Sequence, residues 1–108
     1  MATEQPIACT LSAAELPTRT AEMAAIGKAS LLSVEVRGRT AVLRFRASAR
    51  PRVRLEAIVA AEAECCAFLT MELRDRAEVV ELTALAPEGA EPVLHEIVSA
   101  FDQQGAAT

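Results

Sequence analysis

The chain has 108 residues, is 52% hydrophobic, carries a formal charge of −4 and contains 3 cysteines. That length predicts one domain around one core. No apolar run is long enough to cross a bilayer, and with no Trp or Tyr there is little on which to stack nucleic-acid bases. No basic stretch followed by an apolar run marks a signal peptide, so the expected compartment is the cytoplasm. There, an odd number of cysteines with two adjacent reads as free thiols, metal ligands or redox groups, not as a disulfide framework.

Residues 1–5 read as a loose tail. In "PIACTL" the alternation of Ile7, Cys9 and Leu11 with Ala8 and Thr10 predicts a strand. "SAAE" then has capping-box spacing, Ser12 to Glu15. A helix is expected to run from there to about Gly27, with Pro17 either in its first turn or marking a restart. "LLSVEVRGRTAVLRFRA" predicts a β-hairpin turning near Gly38, with Leu32, Val34 and Val36, then Ala41, Leu43 and Phe45, on one face. Pro51 suits entry into a second helix, expected to end at Cys66. A second hairpin is expected over Phe68–Ala86 with its turn at "RDRA". A last helix, Glu91–Phe101, carries Leu94, Ile97, Val98 and Phe101 as its apolar stripe. Residues 103–108 read as a second tail.

The two hairpins superpose without a gap when residues 30–47 are laid over 67–84. Leu32, Glu35, Arg37, Arg39, Val42 and Ala47 then meet Leu69, Glu72, Arg74, Arg76, Val79 and Ala84. This predicts a duplicated helix–hairpin unit, about 13–47 and 51–86, within a single domain over 6–102. The expected fold is α+β in two layers, a mostly antiparallel sheet with helices on one face, in the order β-α-β-β-α-β-β-α.

At roughly 100° per residue, Leu55, Ile58, Val59, Cys66 and Leu69 share one side of the second helix, with Cys65 on its flank. Glu62 falls inside that stripe and Glu64 points away. Cys9 is expected inward with Ile7 and Leu11. Three readings of this group stand side by side. The first is packing: free Cys behaves as a small hydrophobe, and Glu62 reaches an arginine, with Arg19, Arg44 and Arg46 as candidates. The second is a nucleophilic or redox thiol. Against it stand the helix C-terminus and nearby glutamates, which disfavour a thiolate, and the lack of a histidine placed as base. The third is a soft cation held by Cys65 and Cys66, with Cys9 and Glu62 assisting. Thiolates of this kind suit zinc, mercury or a similar thiophilic ion. The spacing fits no standard zinc motif.

His95, the single histidine, reads as a surface or boundary residue. Seven of the eleven basic residues lie between Arg37 and Arg54, and eleven of the fifteen acids from Glu56 onward. This segregation predicts pairing within the fold, with an anion-binding face or self-association as the sharper alternatives. Nucleic acid is a poor fit for an acidic chain with few aromatics. Arg44 and Glu81 are expected to pair across a sheet or between two copies.

At Cys9, Thr10 and Leu11, and at Glu62, Glu64, Cys65, Cys66, Phe68, Leu69 and Leu73, the chain resembles a small uncharacterised bacterial family. That family shares an early "CTL" strand and an "E-x-E-C-C-x-F-L" junction. The resemblance covers about Ile7 to Phe101, and Met71 departs from it where an aromatic is commoner. It implies an association with heavy-metal resistance. The leading expectation is therefore a non-enzymatic protein that binds a thiophilic metal or metalloid. The alternative is an interaction or homodimerisation module with structural cysteines and no metal; a thiol-dependent enzyme ranks below both.

Overall fold

A computed structural model describes residues 15–65 and 68–102. It contains helix α1 (Glu15–Ser30), strands β1 (Leu31–Arg37) and β2 (Thr40–Arg46), a single 3-10 turn (Ala47–Ala49), helix α2 (Arg52–Cys65), strands β3 (Thr70–Arg76) and β4 (Val79–Leu85), and helix α3 (Glu91–Phe101). The strands form one antiparallel sheet in the order β1-β2-β4-β3. The α+β class is as expected. The leading strand expected at residues 7–11 and the cap at Ser12 lie outside the described residues.

Alternation along the two central strands decides which face is core. Ala41, Leu43 and Phe45 on β2, and Val80, Leu82 and Ala84 on β4, are all buried, while the residues between them are only part-buried. The helices supply the opposing layer: Met23 and Ile26 from α1, Leu55 and Ile58 from α2, and Leu94, Ile97 and Phe101 from α3. Phe45 and Phe101 meet edge to face, with centroids 5.4 Å apart, a geometry that aligns ring edge with ring face. The bounds of α3 are those expected, and Ala100 joins its buried stripe beside Leu94, Ile97 and Phe101.

Two expectations are corrected. Gly27 does not stop α1, which continues to Ser30 and passes straight into β1. Gly27 is buried instead, and a Cβ built there would lie 1.8 Å from the Phe101 carbonyl oxygen. The glycine is the point where α3 makes a close approach to α1, which only a residue without a Cβ permits. Ser30, also buried, satisfies its hydroxyl by donating to the Ile26 carbonyl at 2.7 Å.

The second correction concerns the hairpins. The second turn lies at Ala77 and Glu78, two residues beyond the middle of the expected "RDRA", with Arg76 pairing Val79. The first turn lies at Gly38 and Arg39, with Arg37 pairing Thr40. Equivalent residues are thus 39 apart, from Arg37 to Arg76, and not 37 as in the gap-free superposition. A slip of two residues keeps every side chain on its own face, which is why the false register matched so well. Each turn has positive φ at its first residue alone, 58° at Gly38 and 56° at Ala77, the pattern of a type II′ turn. In the true register Leu43 is both the equivalent and the cross-strand partner of Leu82. The sheet therefore has a local two-fold axis normal to it at that pair. The order of elements gives α-β-β-α-β-β-α among the described residues.

Candidate functional site

The end of α2 is built from its inward stripe. Leu55 and Ile58 anchor the helix in the core, and Glu62, one turn further on, is driven inward with them and is 4% exposed. An unpaired carboxylate there would carry a heavy desolvation cost. Arg19 of α1 meets it, Nη1 donating to Glu62 Oε2 at 3.1 Å. Of the three arginines considered from the sequence, the contact falls to Arg19. Arg44 and Arg46 lie on the opposite face of the sheet. Glu64 is exposed, as its place on the helix requires.

The pair ties the first turns of α1 to the last turn of α2. Cys65 closes α2, and Phe68 and Leu69 stand just before β3, which begins at Thr70. Cys9 and Cys66 lie outside the described residues, as does the side chain of Cys65. Among the described residues, no group of three or more His, Cys, Asp or Glu side chains is placed to hold a metal ion. The negative pole of α2 and the last-turn carbonyls that lack a helical partner fall where the two cysteines occur in sequence.

His95 is exposed on α3, as expected, and lines an open depression of about 370 Å³ with Thr20, Glu96, Ser99 and Ala100. That groups a histidine with hydroxyls and one carboxylate on the surface.

The arginine-rich strand forms a lattice of pairs on the face of the sheet away from the helices. Arg44 Nε donates to Glu81 Oε2 at 3.1 Å across β2 and β4. Arg44 also lies 3.6 Å from Glu35, and Arg76 lies 3.6 Å from Glu81. Arg37 and Glu35 are 2.8 Å apart. The Arg44–Glu81 pair is the expected one. Its extension to Glu35 and Arg76 follows from diagonal neighbours, which only the true register reveals. On the other side of the sheet, Arg52 bridges Glu56 at 2.9 Å and Asp75 at 2.8 Å, binding α2 to the edge strand β3.

No family model, curated protein or solved structure matches the chain. Among the described residues no helix is long and apolar enough to cross a membrane.

Proposed function

We propose that the C-terminal end of α2 binds a thiophilic metal or metalloid through Cys65 and Cys66, with Cys9 and Glu62 assisting. The observation that carries this reading is the Arg19–Glu62 bridge. It fixes a carboxylate one turn before the cysteine pair. It also brings the start of α1 beside the end of α2. Cys9 is six residues before Glu15, a stretch of chain that spans up to about 20 Å when extended, so the third thiol is within reach. The helix terminus favours a cation over a free thiolate nucleophile. The resemblance to proteins associated with heavy-metal resistance points the same way.

Arg19 leaves Glu62 as a positioned, charge-balanced carboxylate, so the thiolates supply most of the affinity. The Cys65→Ser/Cys66→Ser variant is expected to lose stoichiometric binding of cadmium while keeping the wild-type fold. Undiminished affinity in that variant would remove the proposal. The competing reading, structural cysteines in an interaction module, draws its support from the same bridge, because Glu62 has a partner without any metal. It predicts cadmium binding no tighter than that of a small free dithiol.

A further inference from the structure

No described element covers the face of the sheet away from the helices, and its side chains lie in rows. Taken across the strands in the order β1, β2, β4, β3, one row reads Arg37, Thr40, Leu85, Thr70. The next reads Glu35, Val42, Thr83, Glu72. The third reads Ser33, Arg44, Glu81, Arg74, and the last holds Arg46, Val79 and Arg76 on β2, β4 and β3. Glu35 and Glu72 make the second row acidic. Arg44, Arg46, Arg74 and Arg76 make the last two basic, with Glu81 inside them. The local two-fold axis exchanges the positions of Glu35 and Arg74. The backbone is thus nearly symmetric, while at Glu35 and Arg74 the same backbone position carries opposite charge.

We propose that this face docks against the same face of a second copy of the chain. The two-fold axis lies in the plane of the interface and runs across the strands. That operation sets the acidic row of each copy over the third row of the other, so that Glu72 faces Arg74 of the second copy and Glu35 lies beside its Arg44. It also sets the first row over the last. Leu85, 47% exposed, then lies over Val79 of the second copy. Val79 floors a cleft of about 300 Å³ walled by Arg44, Arg76 and Glu81. One register therefore accounts for an exposed leucine, a cleft with an apolar floor and two rows of opposite charge. An isologous contact makes each of these twice.

The sheet face measures about 19 Å by 23 Å from strand spacing and rise, or about 440 Å² per copy. Interfaces of that size are weak and concentration-dependent. A polyanion is the poorer occupant, because the acidic row and Glu81 oppose it.

Sedimentation velocity on the full chain, from micromolar to about millimolar concentration and in low and high salt, tests the proposal. Dimer formation is expected at the upper concentrations and is expected to weaken with salt. Glu72→Arg and Arg74→Glu, both at exposed positions, are each expected to raise the dissociation constant about tenfold or more, since each brings like charges together twice. Mixing the two variants is expected to restore association, because each then meets its opposite. Leu85→Ala is expected to weaken the dimer without touching charge. A chain that stays monomeric throughout, or a dimer that ignores all three substitutions, would overturn the assignment.

Discussion

Arg19 Nη1 lies 3.1 Å from Glu62 Oε2, joining the first turns of α1 to the last turn of α2 across 43 residues of sequence. Their side chains are 18% and 5% exposed, so the pair is largely withdrawn from water. Such a pair adds little net stability over an apolar alternative, but breaking it from one side takes a counter-ion from a buried charge. Arg19→Ala is expected to cost about 2–4 kcal/mol by that mechanism. Glu62→Gln removes the charge and keeps an acceptor, and is expected to cost about 1 kcal/mol. Urea unfolding of the two variants checks the order; equal losses would mean that the charge is not what the site stabilises.

The contact between α1 and α3 rests on one missing Cβ. Gly27→Ala would set a methyl carbon against the Phe101 backbone carbonyl, which cannot move without displacing the end of α3. The expected cost is about 3 kcal/mol or more. Gly38→Ala meets nothing within 4 Å but must hold φ at +58°, so only the strain of a left-handed alanine remains, about 1 kcal/mol. Thermal melts of the pair separate packing from backbone strain.

Ala77 already bears that strain, at φ 56°. Ala77→Gly is expected to stabilise the chain by about 0.5 kcal/mol, the relief at the turn exceeding glycine's added freedom in the unfolded state. A higher urea midpoint with an unchanged slope would confirm it, and a lower midpoint would contradict it.

What the sequence revealed followed local period, and what it concealed depended on distant contacts. The bounds of α3, the alternation of β2 and the inward turn of Glu62 came from periodicity within one element; in β1 a bulge between Leu31 and Ser33 breaks the expected alternation and leaves Leu32 exposed. Gly27 looked like a helix stop because glycine commonly is one; its place at a helix crossing is set by Phe101, 74 residues away. The second turn was misplaced because Ala77 carries no turn chemistry, and a two-residue slip satisfied the same alternation. The pairing of Arg44 with Glu81 was legible even so, since both registers leave them on one face. The choice of Arg19 from three arginines required the packing of α1 against α2. Cys9 and Cys66 rest on sequence position alone.

The central claim is a thiolate metal site at the end of α2. The most direct test is titration of freshly reduced protein with zinc, cadmium and mercuric ions in competition with a small dithiol. It is followed by thiolate-to-metal absorption and native mass spectrometry. The account predicts a one-to-one complex that withstands the competitor and is lost in Cys65→Ser/Cys66→Ser. Binding no tighter than the dithiol's own, or a complex that survives the double substitution, would contradict it and return the cysteine pair to packing.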